Sequence, residues 1–296
     1  MSFEHKFYLN TNDNSHEMAG ILIADSGSTK TSWCYIQNGK KKKASTQGLS
    51  PYFLSGEQIS QVVNTELRGV IRNLEPDVVF FYGTGCGQAE NRKIVNKALQ
   101  NCFPGSEIKV DHDLMGAAVA LCGHEKGIAC ILGTGSNSCY FNGKKILKNS
   151  PGLGFILGDE GSGAYLGRKI IQYYLYGTFE PDLMDRFNAK FNVSSADILN
   201  AVYKQPLPNR YLAGFVPFLS ENRGHFMIEN IIEDGFNDFF FNHIYKYRES
   251  WTSPVHFVGS VAYVFRDVLS DLCHSYEIQL GKVLKDPMEG LIKFHQ

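Results

Sequence analysis

Asp25 closes an apolar run that starts at Ile21, and Ser26, Gly27, Ser28, Thr29, Lys30 and Thr31 follow it. A turn of such small residues exposes successive backbone N–H groups with little bulk in the way, which makes a concave anion site. Hydroxyls and one lysine add donors, and a carboxylate beside them can hold Mg²⁺ through the waters that this ion keeps. Together they suit a magnesium-phosphate pair, with Asp25 on the metal and Ser28, Thr29 and Lys30 on phosphoryl oxygens. A second turn, Gly133-Thr134-Gly135-Ser136, has a similar make-up without the acid. Val258-Gly259-Ser260-Val261-Ala262 is a weaker third element. There Gly259 would let an adenine or ribose lie against the backbone, and a helix N-terminus at Ser260 adds donors. Gly83-Thr84-Gly85-Cys86-Gly87 reads either as another close-approach loop or as a plain strand-to-helix connection.

Two further acids have two readings each. Asp113 follows the strand candidate Glu107 to Val110 and opens a helix, so it is either an N-cap or a general base that takes a proton from an acceptor hydroxyl. Asp159 also precedes a helical segment and could cap it. Glu160, next in the chain, is a candidate for holding a metal-bound water.

The elements that must position these residues alternate in the manner of an α/β protein. Strands are expected at Gly20–Ala24, Thr31–Gln37, Val78–Tyr82, Glu107–Val110, Ala129–Leu132, Asn137–Phe141 and Val255–Val258. Helices are expected at Gly56–Asn73, Ala89–Cys102, Leu114–Leu121 and Gly161–Tyr176. The stretch from about Phe179 to Tyr247 reads as mostly helical. Ser260–Tyr276 places Val261, Val264, Phe265, Val268, Leu269 and Leu272 on one face. The segments 21 to 41 and 131 to 145 are similar: an apolar strand, a turn containing Gly-Ser, an alternating strand, then Asn-Gly-Lys-Lys. Each Asn-Gly pair predicts a type I′ hairpin turn, which needs positive φ at both residues. The repeat predicts two related domains, with residues 1–19 as a flexible extension, 20–113 as the first domain and 114–285 as the second. A C-terminal helix at about 286–296 is expected to pack back on the first.

Composition narrows the function classes. The chain has 296 residues, and 29 Lys+Arg against 30 Asp+Glu leave a formal charge of -1. That balance gives no broad attraction to nucleic acid or to an anionic membrane, so an anion must be held locally. Seven cysteines without a CxxC pair argue against a disulfide framework and a thiolate zinc site. Lys40 to Lys43 read as a solvated hairpin tip, and His124, His225 and His256 lack metal-ligand spacing. The expected location is the cytoplasm. GxxxxGK[ST] does not occur, and no strand is followed by GxGxxG.

In order and approximate spacing, Asp25–Thr31, Gly133–Ser136 and Val258–Ala262 resemble the phosphate-1, phosphate-2 and adenosine motifs of the actin-like ATPase superfamily. More narrowly, Asp113-Leu-Met-Gly-Ala-Ala118, Gly133-Thr-Gly-Ser-Asn137 and Gly158-Asp-Glu-Gly-Ser-Gly163 resemble the N-acetylglucosamine kinase branch, grouped with the BadF/BadG/BcrA/BcrD ATPases. The resemblance implies two duplicated RNase H-like (actin-like ATPase) domains, with mixed sheets flanked by helices and an active-site cleft between them. It implies ATP and Mg²⁺ as cofactors and Asp113 as the base. It also implies a sugar pocket lined by Ser136, Asn137, Gly152, Gly154 and Asp159. The zinc motif of the ROK sugar kinases is absent. Where related kinases carry an asparagine after the first hairpin, this chain has Gly48-Leu-Ser-Pro-Tyr52, so Ser50 is the shorter donor there.

The expected activity is phosphorylation of the C6 hydroxyl of N-acetylglucosamine or a related amino sugar. The expected partner is thus a small-molecule sugar, with no nucleic acid or membrane, and a homodimer is a candidate assembly. Two other readings stay open. One is an ATPase activator of an acyl-CoA dehydratase or reductase system, with Cys86 and Cys122 as candidate iron-sulfur ligands. The other is a nucleotide or sugar sensor without turnover.

Overall fold

A computed structural model describes residues 19–27 and 29–296. All but the last residue of the expected 1–19 extension, and Ser28, lie outside them. The chain divides into two compact units. The first takes the described residues up to His124 with Gly143–Lys145 and Pro287–Gln296, and the second takes Glu125–Asn142 and Ile146–Asp286.

The first unit is a five-stranded sheet of β1 (Ile21–Ser26), β2 (Lys30–Gln37), β3 (Lys40–Gln47), β4 (Val78–Gly83) and β5 (Glu107–His112), ordered β3-β2-β1-β4-β5. Strands β1, β2 and β3 form an antiparallel meander, and β4 and β5 add in parallel. Parallel neighbours need a crossover. The helix Ala89–Cys102 supplies one, burying Val95, Ala98, Leu99 and Cys102 at helical spacing. Helical chain also runs from Gly56 to Val70, with a π turn at Val63–Leu67 and a Ser55/Gln58 capping box at its start. Trp33, Phe81, Leu22 and Val79 form part of the core. The helix Asp113–Cys122 brings Gly116 so close to Tyr82 that a side chain there would meet the ring. The last helix, Met288–His295, brings Gly290 against the Ala120 carbonyl and stacks His295 on Phe80 at 3.7 Å.

The second unit repeats the plan with β6 (Lys126–Leu132), β7 (Ser136–Asn142), β8 (Ile146–Ser150), β9 (Val255–Val258) and β10 (Leu280–Leu284), ordered β8-β7-β6-β9-β10. Its meander is again antiparallel and its last two strands parallel. Equal order and direction in both sheets make the domains duplicated RNase H-like, actin-like ATPase domains. Between β8 and β9 the second unit carries six helices of six residues or more, from Gly163–Leu175 to Phe226–Asn242, around a core rich in phenylalanine.

Three strands not expected from sequence, β3, β8 and β10, are all sheet edges. An edge strand keeps one flank in solvent and so tolerates lysine and weak alternation, as in Lys40–Lys43, which form the start of β3 rather than a hairpin tip. Only the first Asn-Gly pair has positive φ at both residues (Asn38 49°, Gly39 73°). In the second, Gly143 alone is positive, and Phe141 pairs with Ile146 across a longer loop. The Ser260–Tyr276 segment breaks at buried Phe265 into Ser260–Val264 and Arg266–Ser275, which leaves Val264 exposed. All seven cysteines are buried and none is in a disulfide. Among the described residues no helix is long and apolar enough to cross a membrane.

Candidate functional site

In the first unit the polar groups gather at the carboxyl ends of β1, β4 and β5. Asp25 is half-buried near the end of β1, in register with Ser32 on one side and Tyr82 on the other. Beyond it the turn closes through the Gly27 N–H to the Lys30 carbonyl at 2.9 Å, leaving Thr29 and Lys30 exposed. Ser26 stiffens the turn from beneath: its hydroxyl lies 2.7 Å from that of Thr31 and accepts the Leu49 N–H.

The loop Gly83–Gly87 joins this turn to Asp113. The Thr84 N–H donates to the Ser26 carbonyl at 2.8 Å, and the Thr84 hydroxyl donates to Asp113 Oδ2 at 2.7 Å. Asp113 is not the N-cap of its helix. His112 is, accepting the Met115 N–H on Nδ1, so the Asp113 carboxylate is left to Thr84 and to its neighbour's Leu114 N–H. Thr84 is a functional candidate that sequence reasoning did not single out, although the glycines around it marked the loop. Gly85, at φ 87°, has the Ser50 Oγ where a side chain would stand, so Ser50 is buried beneath the loop. Asn91 and Arg92 of the crossover helix hold the carbonyls of Gly85, Cys86 and Gly87. Burial pushes the Cys86 thiol up to about 12, with Asp113 adding to the rise, so it is a protonated thiol rather than a ready thiolate ligand.

In the second unit the turn Gly133–Gly135 is set between β6 and the helix Gly163–Leu175, whose first N–H groups, those of Gly163 and Ala164, donate to the Gly133 and Thr134 carbonyls. Asp159 stands against it. Its Oδ1 accepts the Ser136 N–H at 3.3 Å, and its Oδ2 is 2.9 Å from where a Gly135 side chain would begin. Asp159 has φ 57°, a conformation non-glycine residues adopt at a cost, and strain of this kind gathers at ligand sites. Burial raises its carboxyl above the usual carboxylate range. The Ser136 N–H opposes that shift, Glu160 adds to it, and Arg168 opposes it.

Asn137 Oδ1 is engaged by Asn149 Nδ2 at 2.9 Å, and Gly152 packs on the Ser136 carbonyl. Gly154, exposed at φ 77°, starts a four-residue helix. Ser136, Asn137, Gly152 and Asp159 thus come together. Gly259, at φ 132°, has the Leu132 carbonyl where its side chain would be, so packing within the unit already requires a glycine there. Ser260 follows it, exposed.

An anion suits the second turn. Among the described residues the Thr134 and Gly135 N–H groups have no acceptor, and the buried Ser136 hydroxyl has no partner. A buried polar atom left so costs free energy unless a ligand or water meets it. The first turn offers a carboxylate beside exposed donors, the pairing a metal-bound phosphate needs.

Known proteins agree with this architecture. A crystal structure of a proposed N-acetylglucosamine kinase from Porphyromonas gingivalis superposes with a TM-score of 0.89 at 42% identity, covering 93% of this chain and 98% of that one. A proposed N-acetylglucosamine kinase from Chromobacterium violaceum shares the fold at TM-score 0.71 and 16% identity, over 94% of this chain and 99% of that one. The N-acetylmuramic acid/N-acetylglucosamine kinase of Clostridium acetobutylicum is 27% identical over 184 residues. That match spans 57% of this chain and 58% of the relative's length. Residues 22–176, more than half of the chain, match the BadF/BadG/BcrA/BcrD ATPase family, and the chain belongs to that family.

Proposed function

We propose that this protein is an ATP-dependent sugar kinase that phosphorylates the C6 hydroxyl of N-acetylglucosamine or a related amino sugar, with Asp113 as its general base. The observation that carries the reading is the setting of Asp113. Its carboxylate is released from capping by His112 and oriented by the Thr84 hydroxyl, as a base that must meet one particular hydroxyl requires. The kinases among the relatives support the same reading.

When bound, ATP with Mg²⁺ supplies the transferable phosphoryl group and neutralises its charge. Asp25 would hold the metal, while Thr29 and Lys30 would donate to the phosphates. Ser28, in the same role, lies outside the described residues. The Thr134 and Gly135 N–H groups take phosphoryl oxygens on the turn that Gly133 opens, with Gly259 and Ser260 at the adenosine end. Asp159 binds the sugar: a buried carboxylate with one backbone donor gains most from two vicinal hydroxyls, which supply the missing hydrogen bonds. Ser136 and Asn137 add donors, Gly152 and Gly154 leave room for the ring, and Ser50 backs the loop beside Asp113. Asp113 accepts the C6 proton as the phosphoryl group transfers, so the attacking oxygen carries charge only within the transition state.

The test is ADP release measured across N-acetylglucosamine, glucosamine, N-acetylmuramic acid and glucose. An amino sugar should stimulate release, and Asp113→Ala should abolish the stimulation. ADP release indifferent to every sugar would instead favour an activator ATPase. Saturable sugar binding without ADP release would favour a sensor.

A further inference from the structure

In the second unit a line of polar groups, buried at Tyr247, Ser138 and His243, runs from half-buried Ser150 to half-buried Glu160. The Ser150 N–H donates to the Tyr247 hydroxyl oxygen at 2.6 Å, that hydroxyl lies 2.8 Å from Ser138 Oγ, and Ser138 Oγ lies 3.1 Å from His243 Nδ1. His243 Nε2 faces Glu160 Oε2 at 3.5 Å. The sense of the chain follows from its last member, because a carboxylate can only accept: in the neutral ring the proton sits on Nε2, Nδ1 accepts from Ser138, and Ser138 in turn accepts from Tyr247. Tyr247 itself accepts from Ser150. Every group is satisfied when His243 is neutral, and burial favours that neutral form, lowering the imidazole pKa against the pull of Glu160. The ring is held flat on Phe239, 4.6 Å between centroids at 17°.

Each end of this line touches a segment that carries the proposed sugar site. Glu160 adjoins Asp159, Ser138 lies two residues beyond Ser136 and one beyond Asn137, and Ser150 lies two residues before Gly152. We propose that His243, with Tyr247, is a positioning residue that locks these three segments into one sugar-binding geometry. The proposal rests on the sugar kinase reading. A site drawn from three separate segments needs such support if its first layer is to hold within a fraction of an ångström.

Tyr247→Phe and Ser138→Ala cut the line while leaving its packing almost intact, and His243→Leu removes its centre. Steady-state KM for sugar and for ATP, kcat, calorimetric sugar binding and melting temperature are measured for each. Tyr247→Phe should weaken sugar binding and raise the sugar KM about tenfold, as expected for a lost buried hydrogen bond that leaves a partner unpaired, with the ATP KM unchanged. Glu160→Gln, which keeps shape and an acceptor for Nε2–H, should restore most of the affinity that Glu160→Ala loses. Should His243→Leu fail to fold, Tyr247→Phe and Ser138→Ala carry the test. A lower melting temperature with unchanged sugar KM and sugar binding overturns the assignment, as does an equal loss for sugar and ATP. If the unaltered protein neither binds nor phosphorylates any amino sugar, the kinase reading itself fails. If it does both and the variants match it, only the positioning role fails.

Discussion

Strand β1 ends in Asp25-Ser26, whereas its counterpart β6 ends in Ile131-Leu132. The equivalence follows from the last pairs of each hairpin, Ser26 with Thr31 and Leu132 with Ser136. The same frame therefore carries an acid on the strand in one unit and an aliphatic residue in the other. The second unit regains an acid from elsewhere: Asp159 lies in chain inserted between β8 and β9 and is held at the turn by the Ser136 N–H. One unit sets its acids on a strand, Asp25, and on the first helical residue after a strand, Asp113, and the other on a loop that packed helices must hold. The first arrangement answers to local backbone, the second to residues far along the chain.

Asp113→Asn gives the largest expected effect. It should lower kcat about a thousandfold, within the range for loss of a general base, and leave sugar affinity within a few fold, read by steady-state kinetics and calorimetry. A comparable loss of affinity would place Asp113 with the binding groups and erase the division of labour between units.

Acid should come next. His295 in the first unit and His256 in the second are both pushed down to about 4, burial being the main cause, with Lys109 and Lys282 respectively adding to it. Both folded values lie below the ordinary value near 6.5, so the fold favours the neutral rings. Stability is then complete above about pH 6.5 and falls as pH drops toward 4, because the unfolded chain takes up the protons first. The loss is on the order of 3 kcal/mol for each ring. Urea unfolding at pH 4 and 7 measures it, and His256→Gln should remove the part of the slope that belongs to the second unit. A flat profile would contradict the burial of both rings.

Asp159→Asn should raise the sugar KM about ten- to a hundredfold, the scale of a charge-assisted hydrogen bond, with kcat less affected. The smallest effect contrasts the two turns themselves. A side chain on Gly27 would meet only ordinary contact at 3.6 Å, while one on Gly135 would press on Asp159 Oδ2 at 2.9 Å. Gly135→Ala should thus weaken sugar binding several fold, about 1 kcal/mol by analogy with mild overpacking, and Gly27→Ala should leave sugar binding as it is. Equal effects would mean that Asp159 does not depend on the second turn.

How much of this could be read beforehand follows the same division. Central strands announce themselves through apolar runs, and the hairpin similarity between 21–41 and 131–145 pointed to duplication that the sheet orders bear out. Three of the four edge strands, β3, β8 and β10, did not, because solvent on one flank removes the pattern that marks a strand; the fourth, β5, was legible at Glu107–Val110. Asp113 stood out by type and place, but its release from capping depends on His112 accepting an N–H, which an aspartate at the start of a helix conceals. Thr84 was hidden inside a loop legible only by its glycines. His243 carried no local signal at all, since its partner Ser138 is 105 residues away and the contact exists only once the inserted helices have packed.

The last helix, Met288–His295, adds a consequence in time. It follows β10 of the second unit yet belongs to the first, with Gly290 on Ala120, His295 stacked on Phe80 and its Nε2 3.0 Å from the Tyr82 hydroxyl. During synthesis the unit that emerges first is therefore the one completed last. Until residues 287–296 leave the ribosome, the face of β4 that carries Phe80 and Tyr82 has the helix Asp113–Cys122 against Tyr82 but lacks the last helix over Phe80, while everything the second sheet needs has already been made. A chain ended at Asp286 should accordingly be cut by protease in the first unit and spared in the second.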